Sequence, residues 1–172
     1  MTKYSHLNIV VSNILNAGAN ATGNIGNSSS YFNTIFAQAT SAAYADVAER
    51  FASDTEYEAG TVVELGGSAE ITKVQEELSD SVFGVISTRA AYLMNSQAGT
   101  DATHPPVAMT GRVPVKVIGQ VHKGDRLVSA GNGIARKAQP GEATAFNVIG
   151  RALTNKLDTA EGLVEAIVRI NN

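Results

Sequence analysis

Apolar positions along this chain are sparse and irregular up to about residue 42, then dense, short and regularly bounded beyond it. From Glu56 onward, apolar runs of strand length stand between glycine-rich turns. The run Gly60-Thr61-Val62-Val63-Glu64-Leu65-Gly66-Gly67 has a turn signal at each end, and Val82-Phe83-Gly84-Val85-Ile86-Ser87 follows it. Further runs go from Val107 to Ile118, from Gly124 to Val128, from Val148 to Leu153 and from Leu163 to Ile170. The last alternates with period two, Val164, Ala166 and Val168 on one face and Glu165, Ile167 and Arg169 on the other. Six or more short strands joined by glycine-rich turns predict an all-β barrel or sandwich over 43–172. Pro114 falls inside one run, so that strand must offer it an edge or a bulge, because proline donates nothing to a ladder. The region also echoes itself. Gly60 leading into Val62-Val63 matches Gly124 leading into Arg126-Leu127-Val128, and Val82-Phe83-Gly84 matches Val148-Ile149-Gly150. A barrel of two pseudo-duplicated halves would produce that echo.

Residues 1–42 read differently. Up to Ala45, Lys3 is the only formally charged side chain, and Asn, Ser, Gly, Ala and Thr dominate. Apolar groups punctuate the stretch at Leu7, Ile9, Val10, Val11, Ile14, Leu15, Ile25, Tyr31, Phe32, Ile35 and Phe36. One thin strip cannot bury these within itself, whereas copies wound about a common axis bury them against one another at roughly 25 cal/mol per Å². The segment therefore reads as an extended assembly arm with Ile9, Val11, Ile14, Ile25, Tyr31, Phe32, Ile35 and Phe36 as its oligomer or docking interface. A flexible linker is the rival reading. Between arm and β-region, the alanine-rich stretch from Ala37 to Phe51 fits two states. One is a short helix capped by Ser41, with Tyr44, Val47, Ala48 and Phe51 on one face; the other is extended chain.

Composition narrows the function. A formal charge of −3 argues against gripping nucleic acid by bulk electrostatics. No apolar stretch is long enough to predict a membrane-inserted helix, and the first six residues lack the basic-then-apolar layout of a secretory leader. With no cysteine there is no disulfide framework, thiol nucleophile or thiolate metal site.

Nothing in the remaining chemistry amounts to a catalytic constellation, so no enzyme activity and no cofactor is expected. Asp101 and His104 precede Pro105-Pro106 at a spacing that permits a shared metal, but an ordinary exposed turn is the better explanation. His122 and Asp125 flank Gly124, where a hairpin turn favours polar residues. Ser87 and Ser129 lack a nucleophile-elbow context. The acidic Glu76, Glu77 and Asp80 suit a solvated loop between strands better than a divalent-ion site. Gly131-Asn132-Gly133 carries the commonest hairpin signal and lacks the helix and lysine a phosphate loop needs. Asn27-Ser28, Asn95-Ser96 and Asp80-Ser81 are bonds that an adjacent side chain can attack, which keeps self-cleavage open. The stretch from Ala90 to Pro106 reads as a long loop whose Tyr92, Leu93 and Met94 form an apolar patch, for partner contact or equally for burial in the protein's own core.

Tyr44-Ala45-Asp46-Val47-Ala48-Glu49 followed by Tyr57-Glu58-Ala59-Gly60-Thr61-Val62-Val63 resembles the C-terminal domains of phage tail-fibre and neck-appendage proteins, the peptidase G2 or autoproteolytic-domain-like group common in phages of cyanobacteria. The likeness continues through Phe83-Gly84-Val85, Ala91-Tyr92-Leu93, the run from Val107 to Val117 and Lys123-Gly124-Asp125. Upstream, the stretch from Gly23 to Ala37 resembles a fibre-shaft element of glycine, polar turn and aromatic strand. The resemblance implies a homotrimeric virion fibre, made in the host cytoplasm, whose partners are its own copies and other tail or head proteins. In some members of the group it also implies self-cleavage that releases the C-terminal domain. A short fibre or fibre adaptor is the expectation, because only one shaft element is present. An autoproteolytic chaperone domain and a tip that binds a host surface glycan are the alternatives.

Overall fold

The computed structural model describes residues 11, 15–16, 18–19, 22–36 and 42–170. The chain divides into two units, Met1–Ala39 and Thr40–Asn172. In the first, Asn27 and Ser30 exchange both backbone N–H···O bonds, at 3.0 and 3.2 Å. The Ser29 N–H donates to Asn27 Oδ1 at 2.9 Å, the local side-chain bond that makes asparagine a turn former. No strand ladder follows through 31–36.

The described residues of the second unit form ten strands and no helix. In order these are β1 (Asp46–Arg50), β2 (Val62–Leu65), β3 (Ile71–Lys73), β4 (Val82–Ile86), β5 (Tyr92–Met94), β6 (Pro106–Val117), β7 (Arg126–Gly131), β8 (Ile134–Lys137), β9 (Gly150–Ala152) and β10 (Gly162–Arg169). The ladder β10-β9-β7-β8-β6 returns to β10, because β6 and β10 pair antiparallel over eight residues from Thr110↔Arg169 to Val117↔Gly162. Five strands thus close into a barrel, with β4, β2 and β3 continuing from β6. β1 also pairs with β6, and β5 hangs on β1. The small β-barrel expected from the spacing of apolar runs is the fold.

The internal echo is a repeat of strand pairing. β2 meets β3 as Val63↔Lys73, Glu64↔Thr72 and Leu65↔Ile71; β7 meets β8 as Leu127↔Lys137, Val128↔Arg136 and Ser129↔Ala135. β2 meets β4 as Val62↔Val85 and Val63↔Gly84, and β7 meets β9 as Arg126↔Arg151 and Leu127↔Gly150. Even the turns match. Gly60 N–H donates to Ile86 O at 2.8 Å, and Gly124 N–H donates to Ala152 O at 2.8 Å. Ile86 N–H returns to Thr61 O at 2.9 Å, and Ala152 N–H returns to Asp125 O at 3.0 Å. Each half is therefore a hairpin, a short glycine-bearing strand and a long closing strand. The two closing strands, β6 and β10, pair with each other.

The glycines of the short strands are fixed by crowding. A Cβ on Gly84 would lie 2.5 Å from Val107 Cγ1 and 2.9 Å from Ala108 O; on Gly150 it would lie 2.3 Å from Ile167 O. In both halves the closing strand approaches too closely for any side chain there.

Valine dominates the interior, as a chain without tryptophan requires. Val113, Val115 and Val117 of β6 and Val164, Ala166 and Val168 of β10 face the barrel core beside Leu127, Ile149 and Ala152. A second cluster joins Val63, Ile71, Phe83, Ile86 and Val107, with Phe51 and Tyr57 packed against it. Phe51 and Phe83 meet edge to face at 5.1 Å, a geometry the ring quadrupoles favour.

Two sequence expectations are resolved here. The alanine-rich stretch is extended where it is described, since 46–50 form β1 and 42–45 carry no helix; Ser41 lies outside the described residues. Pairing along both edges of β1, with β6 and with β5, outweighs the helix propensity of the alanine-rich stretch. Pro114 pairs with Glu165, and the neighbouring N–H groups of Arg112 and Lys116 point the other way, to Ala45 O and Gly60 O. By strand alternation its missing donor faces the gap between those two bonds, so the β6–β10 ladder loses nothing.

Candidate functional site

The interface residues expected on the arm are open to solvent wherever they are described. Phe36 is 98% exposed, Ile25 78% and Tyr31 71%, and Val11, Phe32 and Ile35 are all more than half exposed. Ile9 and Ile14 lie outside the described residues. A run of apolar side chains this exposed on a single copy exceeds what isolated surface hydrophobics explain.

The second expected surface is different in kind from its sequence reading. Tyr92, Leu93 and Met94 are strand β5, paired in parallel with β1 as Val47↔Tyr92, Ala48↔Leu93 and Glu49↔Met94. Ala91 N–H donates to Asp46 O at 2.8 Å, and Asn95 Nδ2 donates to Arg50 O at 3.1 Å, pinning both ends. Within the expected loop, 92–94 are thus an edge strand, while 95–105 remain turn and loop. Tyr92 is exposed, but Leu93 and Met94 are half-buried, so the patch is narrower than expected. Its only sequence signal was three residues long, without a bounding glycine.

Most of the titratable candidates have a structural partner. Asp101 Oδ1 takes an ion pair from Arg50 at 2.7 Å, and His104 Nδ1 lies 3.1 Å from Thr103 Oγ1. Asp125 Oδ2 accepts the His122 backbone N–H at 2.8 Å and sits 3.5 Å from Lys137 Nζ, the arrangement of a turn. Glu77 pairs with Arg136 at 2.7 Å, and Thr144 Oγ1 donates to Asp80 at 3.4 Å. Ser129 Oγ donates to Glu76 O at 2.6 Å, while Ser87 Oγ is buried without a hydrogen bond. Gly131, Asn132 and Gly133 all have positive φ and form the β7–β8 hairpin turn. Among the described residues, no three His, Asp or Glu side chains converge as a metal site.

Two electrostatic groups do shape the surface. Arg136 makes a fork to Glu142, 2.7 and 3.1 Å, and this hydrogen-bonded guanidinium holds the Glu142 carboxyl below its usual range. Lys156, only 9% exposed, donates to Gly119 O, to the Asp158 backbone and carboxylate, and to Ala160 O. It ties the β9–β10 connection to the end of β6. In the same way, the Lys156 ammonium holds Asp158 below the ordinary carboxylate range.

One grouping was missed in the sequence. Arg126, Arg151, Ile167 and Arg112 are directly opposite one another on β7, β9, β10 and β6, forming a transverse row on one outer face. Only the fold brings these dispersed positions together; the one hint was the outward phase of Ile167 and Arg169.

No known protein family matches the sequence, and no curated protein matches it. Among solved structures, the C-terminal fragment of gene product 12 from bacteriophage phi29 is similar, with a TM-score of 0.55 and 16% identity. The similarity covers 72% of this chain and 100% of that fragment. The fold is shared with a phage protein. The pre-mature form of the same gene product also matches, with a TM-score of 0.57 and 16% identity over 79% of this chain; only 23% of that longer chain is covered. At such identity the likeness extends to the backbone fold and does not assign roles to residues.

Proposed function

We propose that this chain is a structural component of a phage virion, a short tail fibre or fibre adaptor that acts as a homotrimer. The observation that carries the reading is the row of exposed apolar side chains at Ile25, Tyr31, Phe32, Ile35 and Phe36, joined in one chain to a barrel with the fold of a phage gene product. Such a row is stable in water only when copies or a neighbouring virion protein cover it. Function is then mechanical: the arms assemble the particle, and weak contacts by several barrels add up through valency, to a host surface among other partners.

The mass of the purified protein by light scattering tests this, beside a version beginning at Ala43. A trimer that becomes a monomer without the arm is the expected result. A full-length monomer would refute self-assembly and leave the arm as a docking tail.

A second reading has one specific support. The same fold exists as a separate C-terminal fragment and within a pre-mature chain of the phi29 protein, as suits a domain that drives trimerisation and is then released. Two fragments on a denaturing gel after assembly would favour it over a permanent fibre domain.

A further inference from the structure

We infer that the outer face of β7, β9, β10 and β6 is a binding site for a carboxylate-bearing polysaccharide, an inference that rests on the attachment role proposed above. Arg112, Arg126, Arg151 and Arg169 are all exposed, and none has an ion pair or side-chain hydrogen bond among the described residues. Arg126, Arg151 and Arg112 share a row with Ile167, and Arg169 lies two residues along β10 on the same face. Neighbouring strands lie about 4.8 Å apart, so the row places cations at intervals of roughly 5 and 10 Å across the sheet. Glu165 is the acidic side chain of β10 on this face, opposite Pro114.

The face is not flat. Arg126, Arg151, Ile167 and Arg169 line a groove of about 350 Å³ together with Thr144 and Ala145. That volume is in the range of sites for small ligands. Four unpaired guanidiniums on a chain of net charge −3 are concentrated positive charge with no internal purpose. Guanidinium forks match carboxylates bidentately, and the groove holds no aromatic ring on which a neutral sugar would stack. Ionic recognition of an acidic sugar unit, repeated along a polymer, fits both the groove and the row.

The internal repeat strengthens the assignment. The equivalents of Arg126, Arg151 and Ile167 in the first half are Val62, Val85 and Ala108, all fully buried. A position filled by core valines in one half carries arginine in the other, where the face is open.

Fluorescence polarisation of a labelled polygalacturonate oligomer with the full chain tests the site. Binding that weakens with salt is expected, together with about a tenfold or greater loss in the Arg151→Ser/Arg169→Ser double variant. Arg151→Lys/Arg169→Lys should recover only part of it, since lysine lacks the fork. An unchanged denaturation midpoint would show that both variants fold. Absence of binding at low salt, or equal binding by the double variant, would overturn the site. So would tighter binding of duplex DNA or inorganic polyphosphate than of polygalacturonate, which would mark a charge-only surface. Loss of oligomer mass in the double variant would instead make the face an interface between copies. Because the arm is untouched, oligomer mass otherwise reports separately on the fibre reading.

Discussion

The two halves of the barrel use one pairing scheme and bury opposite amounts of it. In the first half both faces of the β2–β4 sheet are covered. Val62, Val85 and Ala108 enter the barrel core, while Val63, Phe83, Ile86 and Val107 enter the smaller cluster under Phe51 and Tyr57. In the second half one face is covered. Leu127, Ile149, Ala152 and Ala166 stand in the core where Val63, Phe83, Ile86 and Val107 stand in the first, and the reverse face carries Arg126, Arg151 and Ile167. Backbone register therefore does not dictate which face is wet; what covers the sheet does. In the first half the barrel core covers one face and Phe51 and Tyr57 pack against the other; in the second half the barrel core covers one face and the other is left to solvent.

Exchanging residues between equivalent positions tests that contrast most severely. Val85→Arg places an unpaired cation in the core and should destabilise the barrel by at least about 4 kcal/mol, read as a lost or greatly lowered denaturant midpoint. The reciprocal Arg151→Val should stay within about 0.5 kcal/mol of the parent, as for an exposed position. Comparable losses at both sites would show that the second-half face is covered after all. Next in size are Gly84→Ala and Gly150→Ala, each expected to cost about 1–3 kcal/mol through overpacking. Gly150 should be the worse, because its added methyl meets the Ile167 backbone oxygen, whereas at Gly84 the nearest atom is a valine methyl. A midpoint unmoved at either glycine would mean that the closing strand can retreat and that the close approach is not required.

Much of this contrast was readable in the sequence. The period-two run from Leu163 to Ile170 identified both the β10 strand and its buried face, and Asn132-Gly133 identified the hairpin that joins β7 to β8. The echo of Gly60 and Gly84 in Gly124 and Gly150 anticipated the repeat, because glycines forced by turns and close approach survive where side chains diverge. Four things were not readable. β1 is a strand through its pairing with β6, against the local propensity of alanine, and β5 is too short to carry a period. β3 has three residues and lacks a glycine boundary after Lys73. The arginine row depends on register between four strands, which no local pattern encodes.

The halves also differ in how each closes the connection before its long strand. The first half threads β5 through it and anchors it with the Arg50–Asp101 pair at 2.7 Å. The second has no strand there and relies on Lys156. Lys156→Met keeps the apolar stem but leaves the carbonyls of Gly119 and Ala160 without their donor, at a cost of about 1–3 kcal/mol. Faster hydrogen exchange at the Val121 and Lys156 N–H groups, which bridge the two segments at 2.9 and 2.8 Å, is the local sign. Exchange limited to global unfolding would show that the Lys156 contacts are dispensable.

The smallest effect concerns the loop that walls the arginine groove. Glu142 binds Arg136 and accepts the Gln139 N–H at 2.7 Å, bracing the chain between β8 and Thr144. Its carboxyl titrates below the ordinary value because Arg136, and then the Gln139 N–H, favour the ionised form. The folded value lies under the unfolded value of about 4.3, so the stabilisation is present above that pH and fades as pH falls through the folded value. Protection of the Gln139 amide should therefore drop on acidification below about pH 4. In Glu142→Gln the amide should be less protected at neutral pH and insensitive to that acid step. An acid step that survives in Glu142→Gln would transfer the effect to another carboxylate, Glu77 on the same guanidinium being the nearest alternative. The groove wall would then be braced from the first half of the repeat, and the two halves would be coupled through Arg136.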